Sequence, residues 1–140
     1  MELKHFTLEG ANATLPLVKS IMADVSTSWK RIKAIDTEIN KMLCSTLGGE
    51  EVDTDIAEKL NEEAGDCYDK FTNGIKEVNN LGVLVLDMEN FAVGFTSVIN
   101  EKVQVYVFRF EEDSEIKFYR NIEANGELTP IEELKVNEKI

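Results

Sequence analysis

The sequence predicts an α+β fold: a long antiparallel helical hairpin, then an antiparallel β-meander of three to four strands. Three observations carry this. Apolar residues recur in steps of three and four as far as Leu81, which is the spacing of one helix face. From Val83 onward the apolar period is two, which is the spacing of one strand face. Gly82 stands at the switch, where a glycine can end a helix in a left-handed conformation. One domain of 140 residues is expected, with the hairpin over 7–81, the meander over 83–121 and a C-terminal tail over 122–140. A chain of this length buries a core without metal or disulfide help.

The first helix opens at Phe6-Thr7-Leu8-Glu9, with Thr7 as N-cap and Glu9 in the first turn, where the helix dipole favours a carboxylate. Its seam is Leu8, Ala11, Leu15, Val18, Met22, Val25, Trp29 and Ile32, and it shifts phase near Asp36 to Ile35, Ile39 and Met42. Pro16 interrupts the pattern. A short helix over 7–13 is expected before a main helix that starts near Leu15 with Pro16 in its first turn. Leu47-Gly48-Gly49-Glu50 is the break, and Asp53 or Thr54 caps the second helix. That helix has its seam at Ile56, Leu60, Ala64, Cys67, Phe71, Ile75, Val78 and Leu81.

Strands are expected over 83–88, 91–99, 102–110 and 115–121, with Gly94 as a possible bulge. Asn100-Glu101 is a tight turn, and Pro130 restricts the chain around it to an edge or loop. In the third strand Val103, Val105 and Val107 share one face, and Tyr106, Phe108 and Phe110 the other. A meander needs only one apolar face. The aromatic face, with Tyr119, therefore calls for a cover, either the C-terminal tail or a second subunit. These four residues are the candidate interface of a homodimer.

Hydrophobic residues make up 43% of the chain and charged residues 30%, a globular composition. Net charge is −12. Residues 1–46 hold six Lys/Arg against five Asp/Glu, and residues 47–140 hold nine against twenty-two. Such a field repels phosphate backbones and anionic membrane surfaces, so no nucleic-acid or membrane partner is expected. No basic segment followed by an apolar core suggests a signal peptide, and no run suits a membrane span, so the expected location is the cytoplasm. Cys44 and Cys67 fall on opposite helices, separated by roughly 18 Å along the axis at 1.5 Å per residue. That exceeds disulfide reach, and both thiols are expected as small buried hydrophobes.

No phosphate-cradling loop, CxxC pair or HExxH motif occurs, and the single His5 cannot build a zinc site. No cofactor or metal is implied. Asp87, with Glu89, follows a strand and can meet a hard cation, although solvated carboxylates are the plainer expectation. Arg109 and Arg120, on neighbouring strands, can together bind an anion or carboxylate. The plainer expectation is cross-strand pairing with Glu101, Glu112 or Glu115. The Glu111-Glu112-Asp113 run reads as a solvated turn.

The opening Phe6-Thr7-Leu8-Glu9-Gly10-Ala11-Asn12-Ala13-Thr14-Leu15-Pro16 resembles the start of a bacterial family of uncharacterised proteins, domain of unknown function 2203. Members open with Phe/Tyr-Thr-x-Glu-Ala-Asn-x-x-Leu-Pro, continue through a charged helical stretch and reach a Leu-Gly turn before a β region. Leu81-Gly82-Val83 matches that turn, and Gly10 stands where the family has Ala. The family's β region carries an Asp, a Cys and a His. Here Gly94 stands for the Asp, the second cluster keeps Arg109 and Glu112 without the Cys, and Tyr119-Arg120-Asn121 lacks the His. The resemblance implies the fold and carries no activity with it.

Three functions are open to a chain of this kind. The first is a non-enzymatic self-association or protein-interaction module. The second is a small-ligand or metal-dependent enzyme at the junction of sheet and hairpin, using Asp87, Arg109 and Glu112. The third is an acidic decoy for a basic protein.

Overall fold

Helix α1 runs Leu8–Leu47 and helix α2 runs Thr54–Asn80 in the computed structural model, which describes residues 5–49, 51, 53–122 and 127–132. Five antiparallel strands follow among the described residues: β1 Val83–Asp87, β2 Ala92–Ile99, β3 Lys102–Arg109, β4 Phe118–Asn121 and β5 Thr129–Pro130, in the spatial order of the sequence. This is the expected α+β architecture of a helical hairpin and a meander.

Thr7 caps α1, its Oγ1 accepting the Gly10 N–H at 3.0 Å. The expected break near Pro16 is absent, and α1 is one helix of 40 residues. Proline strips the Asn12 carbonyl of its donor, an interior defect of about 3 kcal/mol in a bare helix. Pro16 and Asn12 are both exposed, so water can take that carbonyl. Leu15 and Val18, on the inner face, are buried and hold the helix through the defect. Asp53 caps α2, with Oδ1 accepting the N–H of Asp55 and of Ile56. Gly82 ends α2 at φ 83° and donates its N–H to the Asn79 carbonyl, the left-handed stop that a side chain resists.

The chain divides into two compact units. The first comprises the described parts of residues 1–22 and 76–140, and the second comprises residues 23–75. In the first unit the ladder sets Val83, Phe95, Tyr106 and Tyr119 in one cross-sheet row, with Val85, Val93 and Phe108 in the next. The start of the chain covers this face. Phe6 donates its N–H to the Thr96 carbonyl at 2.7 Å and sets its ring edge-on to Phe95, with centroids 5.1 Å apart. Lys19 reaches across to the Ser114 carbonyl at 2.6 Å, and its ammonium lies 5.5 Å from the Phe108 centroid.

Tyr106 and Phe108 are consequently 4% and 1% exposed. The expectation that this aromatic face needs the tail or a second subunit is corrected: the chain covers it with its own N-terminal segment. Phe110 and Tyr119 flank it half-buried.

The opposite face explains Gly94, which is no bulge. A Cβ there would lie 2.4 Å from Val105 Cγ1 and 3.1 Å from both Leu86 methyls, so these side chains close over the glycine. The irregularity falls instead between Val85 and Asp87. Residues 129–130, expected in the tail, form β5 against Tyr119 and Phe118. Its proline sits on the edge strand, where a missing donor is tolerated. Residues 123–126 and 133–140 of the expected tail lie outside the described residues.

In the second unit Val25 and Ile35 are fully buried. Trp29 stacks on Phe71 with centroids 5.1 Å apart, and Tyr68 flanks Phe71 at 6.4 Å. Lys33 lies over the Trp29 ring. Arg31 makes a two-pronged pair with Glu63 at 2.6 and 2.9 Å. Both cysteines are free thiols. Cys67 is half-buried but Cys44 is exposed, contrary to expectation, because it lies close to the hairpin turn.

Candidate functional site

Asp113 closes the turn after β3. Its carboxylate accepts the Arg109 backbone N–H at 3.0 Å, Nε at 3.0 Å and Nη2 at 2.9 Å. Its own N–H bonds back to the Arg109 carbonyl at 2.7 Å. The Asp113 side chain is 2% exposed, so the two-pronged ion pair sits in low dielectric, where matched geometry matters most. This overturns the reading of Glu111-Glu112-Asp113 as a wholly solvated turn. Glu112 takes the remaining edge, 2.8 Å from Nη1, and is half-exposed. Phe118 supports the guanidinium from β4, its ring centroid 4.9 Å from Cζ. The Asp113 hydrogen bonds hold the Arg109 guanidinium above its ordinary value.

Arg109 pairs with Glu112 three residues on, within the turn and not across strands as expected, and its principal partner is Asp113, which neither motif nor periodicity singled out. The available signal was an acid four residues after a strand-end arginine, since short carboxylates favour turns by capturing nearby backbone N–H groups.

On the sheet face of Gly94, a cleft of about 420 Å³ is lined by Leu86, Asp87, Asn90, Ala92, Val107, Arg109, Arg120 and Leu128. The structure thus brings Asp87, Arg109 and Arg120 to one depression and leaves Glu112 off its walls. Asp87 also organises the β1–β2 turn, with Oδ1 accepting the Asn90 N–H at 2.9 Å. Next to it Phe91 is buried at φ 49°, a conformation bulky residues rarely adopt. Among the described residues no three His, Cys, Asp or Glu converge as a metal site, and no helix is long and apolar enough to cross a membrane.

A different surface stands out in the second unit. Ile35 and Leu60 are 0% and 8% exposed, whereas Leu43, Leu47 and Ile56 are 56%, 88% and 50% exposed. Apolar side chains thus continue to the hairpin turn while their cover runs out. Leu43 and Leu47 are four apart and share a helix face. They lie beside, not on, the predicted seam.

Residues 4–126 match the family described as Uncharacterized conserved protein (DUF2203). No curated protein and no solved structure gives a significant match.

Proposed function

We propose that this chain, which belongs to the DUF2203 family of uncharacterised conserved proteins, is a non-enzymatic module that self-associates through the tip of its helical hairpin. The observation that carries the reading is the loss of burial from Ile35 and Leu60 to Leu43, Leu47 and Ile56. Of the seven large apolar side chains exposed among the described residues, these three lie near the hairpin turn. Leu43 and Ile56 are already about half covered, so covering the remainder of each contributes about 1 kcal/mol, and covering Leu47 about 1.5–2.5 kcal/mol.

A second copy is the occupant best matched in charge. Residues 23–46 carry four Lys/Arg and three Asp/Glu, whereas residues 50–77 carry three lysines and ten acids. A two-fold pairing that sets α1 of one copy against α2 of the other places the less acidic helix beside the more acidic one. Like-on-like pairing of α2 is avoided.

Light scattering on the full chain tests this. A mass near twice the 15.8 kDa of one chain is expected at micromolar concentration. Leu43→Glu with Leu47→Glu should return it to the mass of one chain with the helical signal intact. A wild-type chain that stays single at those concentrations would overturn the reading.

A further inference from the structure

Helix α2 carries two uncharged stripes where a two-helix hairpin needs one. The first is turned inward: Leu60 is buried, and Phe71 stacks on Trp29 of α1. The second runs through Ala57, Asn61, Ala64, Tyr68 and Thr72, in steps of four, three, four and four. It holds no charged residue, although residues 50–77 hold ten acids and three lysines. Asn61 and Tyr68 on it are exposed. Tyr68, at 58%, is the one aromatic among the exposed large apolar side chains of the described residues. A Cβ on Gly65, in the turn before Tyr68, would meet nothing within 4 Å, so the space beside the ring is open. The carboxylates of Asp55, Glu58, Glu62, Asp66 and Asp69 are exposed on the far side of the helix.

The second stripe shares its side of the hairpin with the tip leucines. Tyr68 lies against Phe71, and Phe71 on Trp29. Leu47 follows Trp29 by about five full turns of α1 at 3.6 residues per turn, and Leu43 is one turn nearer. The helices run antiparallel, so Trp29 level with Phe71 sets Leu43 level with Ala57, Asn40 beside the level of Asn61, and Lys33 beside that of Tyr68. The tip alone makes a small contact. A stable pairing buries about 800 Å² on each partner, and three side chains, two of them half covered, supply a minor share of that.

Resting on the tip pairing proposed above, we infer that the contact continues down this flank, and that two copies stack flank to flank as an antiparallel four-helix bundle with their tips together. The two-fold axis runs parallel to the helices. Such an axis preserves height and sets α1 of one copy on α2 of the other. Leu43 of each copy then seats on the partner's Ala57, a large side chain over a small one. Tyr68 lies along the aliphatic stem of the partner's Lys33, an exposed side chain whose ammonium can stay in water. The two acidic faces of α2 point away from the contact, so a chain of net charge −12 can pair with itself.

Sedimentation equilibrium on the full chain, over a dilution series, tests the flank separately from the tip. Tyr68→Glu changes an exposed side chain and leaves the tip leucines in place. It should raise the dimer dissociation constant at least about tenfold, with the helical signal intact. If Tyr68→Glu pairs as tightly as the wild type while Leu43→Glu with Leu47→Glu does not pair, the contact stops at the tip and the flank is overturned alone. A wild-type chain that stays single overturns both. Cross-linking tests the axis. With Cys44→Ser and Cys67→Ala in place, chains carrying Asn40→Cys and chains carrying Asn61→Cys should form a disulfide with each other when mixed and oxidised, and neither should do so alone. A mixture that yields no more bridged dimer than either chain by itself overturns the pairing of α1 on the partner's α2.

Discussion

Asp113 and Arg109 are bonded three times over: the Asp113 carboxylate accepts Nε, Nη2 and the backbone N–H of the same arginine, all within 3.0 Å. The strand end, the turn and the guanidinium are thus held by one nearly buried carboxylate. Asp113→Ala removes all three acceptors and leaves Arg109 with only Glu112. Breaking a buried pair from one side costs about 3–5 kcal/mol, and the partial exposure of Arg109 brings the expected loss to about 2 kcal/mol. Urea unfolding measures it. A loss under about 0.5 kcal/mol would mean that the turn closes without the clasp.

Glu101 offers a gain. Asn100 and Glu101 take φ 53° and 65° in the two-residue turn between β2 and β3, the turn type that favours Asn-Gly. Glu101→Gly removes the steric penalty of a side chain in that conformation and should raise stability by about 0.5–1 kcal/mol. The thermal midpoint should rise by a few degrees; a fall would contradict the turn geometry.

Gly94 tolerates nothing larger. A single methyl would sit 2.4 Å from Val105 Cγ1 in a face where Val105 and Val107 are 0% and 3% exposed. Gly94→Ala should cost about 1–3 kcal/mol by overpacking. Pairing it with Val105→Ala should recover part of that loss, and the two losses should fail to add.

Acid should weaken the second unit through Glu63. The Arg31 hydrogen bond holds its carboxyl below the ordinary value of 4.5. A carboxyl that titrates lower when folded contributes fully above its unfolded value, and the contribution vanishes as pH falls through the folded one. Stability should therefore decline as pH drops below about 4.5, and Glu63→Gln should flatten that part of the curve. Both side chains are about two-fifths exposed, so the effect is small and shrinks with salt. A decline of the same size in Glu63→Gln would assign it to other carboxyls.

The helices, the strands and the switch at Gly82 were legible because burial on one face forces a period into the sequence. What periodicity omits is the identity of the cover. The alternation of Tyr106 and Phe108 with Val105 and Val107 marks two apolar faces without saying that Phe6 and Lys19 close the aromatic one. Pro16 misled because its local rule ignores the packing of Leu15 and Val18. The candidates Asp87, Arg109 and Arg120 do share a cleft, since strand order and register bring them together. Asp113 escaped notice because a carboxylate in an acidic turn looks the same in sequence whether water or an arginine receives it. Leu43 and Leu47 escaped because the seam chosen for pairing α1 with α2 ran through Met42.

Dipolar electron resonance on a nitroxide attached to Cys44 tests the tip pairing most directly. Cys44 is exposed beside Leu43, and Cys67→Ala leaves it the sole thiol in a chain with two cysteines. Pairing through the tip should give a defined label-to-label distance between copies that disappears when Leu43 and Leu47 become glutamate. A featureless decay in the unsubstituted tip, equal to that of isolated labels, would contradict it.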